Sequence, residues 1–208
     1  MTYGMTVVDT NATSSPQLHA VVLVEVDEGC DRIQLPRKPW PRYVRLSPET
    51  KPEAVSLVVG TLATWGRENT EWSVEALERE FPGAVPGGFA AVDQERFIGP
   101  SCCCGLETWK EWLDVLTTRR SPWMGHNPAP FVEIREDRVN IWADGGLGGN
   151  SAGGSPIAFS ALEFETAVRQ AAKDLSEFEE ALRKWLRVHA PRHEHGVAGK
   201  FRERFIHE

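Results

Sequence analysis

No stretch of the 208 residues approaches the roughly 20 consecutive apolar residues that a bilayer-spanning helix needs, so no membrane span is expected. The opening MTYGMTVVDTNATSSP lacks a basic start and an apolar centre, and is not read as a secretory signal. Positive charge is in deficit. There are 23 Lys and Arg against 30 Asp and Glu, for a net charge of −7, which argues against general binding to nucleic acid or an anionic membrane. No internal repeat is visible, which sets solenoids and propellers aside. GxSxG, HExxH, DxD-type metal signatures and a GK[ST] phosphate loop are also missing, which argues against a familiar hydrolase or transferase and against a P-loop. The acids Glu111, Asp114, Glu133, Asp137, Asp144, Glu163 and Glu165 are scattered, and their spacing sets no pair of carboxylates on one pocket.

What is present describes an ordinary globular chain. Hydrophobic residues make up 41% and charged residues 25%, enough at this length to bury a core without disulfides or metals. Aromatic duty falls on Trp and Phe, with eight Trp against two Tyr. Of four cysteines, Cys102, Cys103 and Cys104 are consecutive and Cys30 stands apart. Adjacent cysteines pair only with strain. A disulfide framework is therefore not expected, and a reduced, cytoplasmic setting is.

Residues 1–17 are polar and aperiodic, and read as a mobile tail. Leu18–Val26 reads as a buried strand and Tyr43–Leu46 as a second, with an irregular, proline-rich stretch between. Val55, Val58, Val59, Leu62 and Trp65 mark a helix after Pro52, with Thr50 and Glu53 as a capping box and Gly66 as its stop. A short helix over Val74–Phe81 is capped by Ser73. Phe89–Val92 with Arg96–Ile98, and Phe131–Arg135 with Arg138–Trp142, read as hairpins. Leu106, Trp109, Leu113 and Leu116 mark an amphipathic helix between them. The clearest pattern is Phe164, Val168, Ala171, Leu175, Phe178, Leu182 and Trp185, which predicts one helix over Ala161–His189 closed by Pro191. A last helix is expected over Val197–Ile206. The class is α+β: a mixed or antiparallel sheet of short hairpins packed on the long helix. The expected organisation is a tail (1–17), one domain (18–190) and a short basic C-terminal helix (191–208).

Three places attract a functional reading. The turn Ser101-Cys102-Cys103-Cys104-Gly105 lies between a strand and a helix start, where backbone N–H groups lower a thiol pKa. A nucleophilic thiol needs a histidine, and His126 in WMGHN is the one available in mid-chain. Cys102, Cys104 and His126 are thus the candidate catalytic residues, against the alternative that the cysteines are small packing residues. A metal reading would add Cys30 to the cysteine turn and His126, a set without zinc-like chelating pairs, or use His189, His193 and His195, whose short spacing could hold a metal but which Pro191 and Arg192 interrupt and an exposed linker explains. No metal site or cofactor is assigned. The loop DGGLGGNSAGGS over Asp144–Ser155 is rich in N–H groups but does not open a helix as a nucleotide-binding loop does. Asp144 and Asn150 are its candidate binding residues. Trp40, Trp72 and Trp123 sit beside Pro or polar residues, where an exposed Trp serves recognition. Trp40 and Trp123 are retained as binding candidates. The loops around them and the glycine loop are expected to share one surface.

The phrases PGGFAAVDQERFIGPSCCCGLETWKEW, WMGHNPAPFVEIREDRVNIW and DLSEFEEALRKWL, in that order over about residues 82–190, resemble uncharacterised actinobacterial proteins. In style they are similar to small α+β immunity proteins of bacterial toxin systems, the SMI1/KNR4-like group. The resemblance implies a non-enzymatic module that binds another protein, and it assigns no residue a role. The competing expectation is a thiol- or metal-dependent enzyme at the cysteine turn.

Overall fold

A computed structural model describes residues 15–26, 33–66, 72–94, 96–102, 105–146 and 154–207. The architecture is α+β, with two antiparallel sheets and a long helix in the C-terminal half. The first sheet has the order β2-β1-β3-β4, from Tyr43–Arg45 (β2), Gln17–Leu23 (β1), Gly87–Asp93 (β3) and Arg96–Ile98 (β4). The second is a meander of Phe131–Arg135 (β5), Arg138–Trp142 (β6) and Ile157–Ser160 (β7). Among the described residues no helix is long and apolar enough to cross a membrane.

β1 is buried from Leu18 to Leu23, as an apolar run flanked by two strands should be. Its first residue, Gln17, pairs with Val92 of β3, so the strand takes in the last residue of the expected tail. Residues 1–14 lie outside the described set. In the second sheet the alternation sorts the faces. Val132, Val139, Ile141, Ile157 and Phe159 are buried. On the other face Phe131 lies opposite Trp142, with ring centroids 6.3 Å apart.

Helix α1 (Pro52–Thr64) is buried from Ala54 onward. Its N-cap is Lys51 without a side-chain bond, which corrects the expected Thr50–Glu53 box. The Thr50 hydroxyl instead closes the preceding turn, donating to the Arg45 carbonyl and accepting from the Ser47 amide. Gly60 is needed for close approach, since a Cβ there would stand 3.0 Å from Leu35 and 3.1 Å from Val26. Helix α2 (Val74–Arg79) is capped as expected by Ser73, whose hydroxyl accepts from the Ala76 amide at 3.1 Å.

Leu106–Asp114 is a 3-10 helix, followed by one α-turn, α3 (Val115–Thr118). Three residues per turn align Leu106, Trp109, Trp112 and Val115, and these four are buried. Leu113, expected on the apolar stripe, is 51% exposed. The difference between 3.0 and 3.6 residues per turn moves it off the face.

Helix α4 (Ala161–His189) opens with a capping box in which Ser160 accepts from the Glu163 amide and Glu163 accepts from the Ser160 amide. Its whole predicted stripe is buried. The helix runs chiefly along β1, with further contact to β6, β7 and α1. The expectation that it packs on the Phe131–Trp142 hairpin therefore describes the lesser part of its contacts. Helix α5 (Glu194–Phe205) belongs to the same core. Phe201 packs on Phe178 at 5.5 Å, and the Phe205 carbonyl accepts from Trp109 Nε1 at 2.7 Å.

Leu175 sits 1% exposed in the middle of the α4 stripe. Leu175→Ala should cost about 2–5 kcal/mol and lower the midpoint of denaturant unfolding. An unchanged midpoint would contradict this placement.

Candidate functional site

The cysteine turn begins where β4 ends. The Ser101 amide donates to the Met124 carbonyl at 2.9 Å, and the Asn127 amide donates to Ser101 Oγ at 3.4 Å. Gly125 has φ 104°, and a Cβ there would lie 2.2 Å from Ser101 Oγ and 3.1 Å from the Cys102 nitrogen. The backbones of the turn and of the loop holding His126 are therefore in direct contact. Cys102 is half-buried and His126 exposed. Cys104, Cys103 and Cys30 lie outside the described residues. The N-cap of the 3-10 helix that follows is Gly105 without a side-chain bond, and the Glu107 carboxylate accepts from the Gly105 and Val85 amides.

Trp123 stands on the same loop, 37% exposed. Its amide donates to Glu111 Oε2 at 2.9 Å, and its ring centroid is 6.2 Å from that of His126. Trp40 is half-buried against the core. Its Nε1 donates to the Pro36 carbonyl at 2.9 Å, and the Lys38 ammonium sits 4.8 Å from its ring centroid. Its polar atom is thus spent on shaping the 33–42 segment. Trp72 is also partly buried. Asp144 is exposed, and its carboxylate accepts from the Ala129 and Gly145 amides at 2.9 and 2.8 Å. These two bonds hold its carboxyl below the usual range and pin one end of the glycine loop. Asn150 lies outside the described residues. The expected single surface is thus represented by Trp123 beside the Cys102 turn, by Asp144 at Ala129 and by Trp40 near Pro36.

The histidines of the C-terminal region serve separate contacts. His189 stacks on Trp185 at 4.6 Å, His193 meets the Glu78 carboxylate, and His195 is exposed. Among the described residues, no three His, Cys, Asp or Glu side chains are grouped as a metal would need.

A further grouping among the described residues involves side chains that sequence reasoning passed over. A cleft of about 570 Å³ opens between the start of β1 and the first turns of α4. Leu18, Leu162 and Ala167 give it apolar walls. His19, Arg45 and Asp174 line it as polar groups, and Gln170 joins them. The register explains the grouping. Val21 lies opposite Arg45, and His19 is two residues back on the same face, diagonal to Arg45. Arg45 donates to Asp174 Oδ2 at 2.6 Å, and Gln170 Nε2 donates to Oδ1 at 2.7 Å. His19 is 4% exposed, and neither its Nδ1 nor Arg45 Nε, both buried, has a hydrogen-bond partner. Burial, and then the Arg45 charge, push the His19 pKa down to about 4, with Asp174 opposing.

The signal for this site was present in the sequence as polar letters in apolar patterns. His19 interrupts a strand run, and Asp174 occupies a core-facing place on α4, three residues after Ala171 and four before Phe178.

No protein-family model matches the chain, and no curated protein or solved structure is significantly similar to it.

The depressed His19 pKa sets a pH window. The folded value of about 4 lies below the unfolded 6.5. As pH falls from 6.5 to 4 the unfolded chain takes up a proton that the native state refuses, so stability falls across that window. Below 4 this group adds no further loss. The fall should amount to about 3 kcal/mol. It should be missing from His19→Gln, measured as unfolding free energy against pH. Parallel curves for the two proteins would contradict a neutral buried imidazole.

Proposed function

We propose that the protein is a non-enzymatic module that binds another protein, immunity-like in kind, through the shelf formed by the Trp123–His126 loop on the Cys102 turn. The observation that carries this reading is that Trp123 is exposed and yet held. Its amide is fixed by Glu111 and its ring lies beside His126. A large amphipathic ring ordered before contact loses little freedom on binding, which is the usual character of an interface anchor. The net charge of −7 favours encounter with a basic partner. The cleft chemistry leans the same way, because a histidine with a pKa near 4 is a weak general base at neutral pH.

The test takes the partner retained by the wild-type protein and titrates it against wild type and Trp123→Ala. Affinity should drop by about 2 kcal/mol or more with circular dichroism unchanged. Equal affinities would remove Trp123 from the interface.

A second reading, a thiol enzyme, is favoured by one observation, the backbone contact between the Cys102 turn and the His126 loop. Alkylation of the native protein at pH 6 and pH 8 separates the two. The binding reading expects thiols that react slowly at pH 6. Rapid modification of Cys102 at pH 6 would establish a thiolate there and favour the enzyme.

A further inference from the structure

We infer that the cleft between β1 and α4 is a second binding site, for a small uncharged molecule carrying an amide or hydroxyl group on an apolar body. The argument starts from two buried polar atoms without partners, His19 Nδ1 and Arg45 Nε. Leaving such groups unpaired destabilises the fold, and native proteins rarely leave two on one cleft without a use. Both residues line the same cleft, so one ligand seated there lies against both.

The chemistry of the two atoms narrows the ligand. Arg45 Nε carries a hydrogen and donates, so the ligand must accept. The neutral imidazole presents Nδ1 as donor or acceptor according to its tautomer. An amide or a hydroxyl both donates and accepts, and satisfies either tautomer. An ammonium has no lone pair for Arg45.

A carboxylate accepts from Arg45, but it meets a guanidinium whose charge is already matched. Asp174 holds Arg45 at 2.6 Å, and its other oxygen is taken by Gln170. Glu163 also lines the cleft. An anion seated there is therefore desolvated without a free counter-charge. The remaining walls, Leu18, Leu162 and Ala167, suit an apolar body. Leu162 is 74% exposed and is the wall side chain free to turn aside as the ligand enters.

The experiment uses the full chain with 15N-labelled histidine at pH 7, the His19 resonances being those lost in His19→Gln. The probes share one ring and differ in one group: benzamide, benzyl alcohol, benzoate, benzylammonium and toluene. Benzamide and benzyl alcohol should shift the His19 imidazole, with dissociation constants of about 1–10 mM for ligands of this size. Benzoate, benzylammonium and toluene should bind at least about tenfold more weakly. Thr166→Trp alters an exposed α4 position lining the cleft and should abolish the shifts while the fold persists. Benzoate binding as tightly as benzamide would overturn the uncharged class. Toluene binding as tightly would show the polar pair to be unused. The absence of any His19 shift, or shifts that survive Thr166→Trp, would overturn the site itself. None of these outcomes touches the Trp123 surface, which is tested separately.

Discussion

The two sheets share no strand; α4 lies against both, and a chain of aromatic rings runs between them. Phe89 on β3 meets Trp109 and Trp112 at 5.7 Å, Trp112 meets Phe164 on α4 at 6.2 Å, and Phe164 meets Phe159 on β7 at 6.0 Å. Each contact falls in the range where ring pairs add to simple burial. Trp112 is the middle member and is 2% exposed. The 3-10 geometry of its segment is what turns Trp109 and Trp112 the same way. An α-helical turn there would separate them by 300° in place of 360° and rotate one off Phe89. The local backbone and the global join are thus a single constraint. That constraint also fixes the shelf, because Glu111, which holds the Trp123 amide, lies on the same segment.

Helix α4 carries two acids into the interior, and they are treated differently. Glu179 receives Arg183 Nε at 2.8 Å and both Nε and a terminal nitrogen of Arg202 at 2.6 and 2.8 Å. Arg183 continues to Glu194 at the start of α5. This network is well satisfied, and it braces α5 against α4. Asp174 is equally buried, with both its oxygens occupied, but the residues around it are not all satisfied. A buried polar network that is complete rigidifies its surroundings, and one left incomplete is destabilising unless something else completes it. The contrast on a single helix sets the Asp174 region apart from ordinary ion-pair packing.

The elements legible in the sequence are those whose periodicity runs long enough to choose one answer. Seven apolar positions over 29 residues admit only an α-helix, and the β5–β6 hairpin shows both its alternation and its turn. The 3-10 segment was not legible, because over nine residues Leu106, Trp109 and Leu113 fit an α-helix as well as Leu106, Trp109 and Trp112 fit the tighter one. β7 has four residues, too few for a pattern, and is a strand because β6 offers it an edge. The site was harder still. His19, Arg45 and Asp174 come from β1, β2 and α4, and only strand register and helix docking bring them together. The letters were readable as anomalies, a histidine in a strand and an acid on an apolar stripe, but their meeting is a tertiary fact.

The cysteine turn shows the opposite relation between letters and structure. Its three consecutive thiols are the most conspicuous feature of the sequence, and among the described residues a serine and two glycines make close contacts that hold the turn. Ser101 is bound through backbone and hydroxyl to Met124 and Asn127. Gly105, at φ 137°, comes so near β3 that a Cβ would stand 2.5 Å from the Gly87 carbonyl oxygen. Gly125 comes equally close from the other side. Only glycine meets both demands at these positions, a positive φ and no side chain. Backbone packed against backbone holds the Trp123–His126 loop in place. The serine and the two glycines are therefore the residues on which the shelf depends.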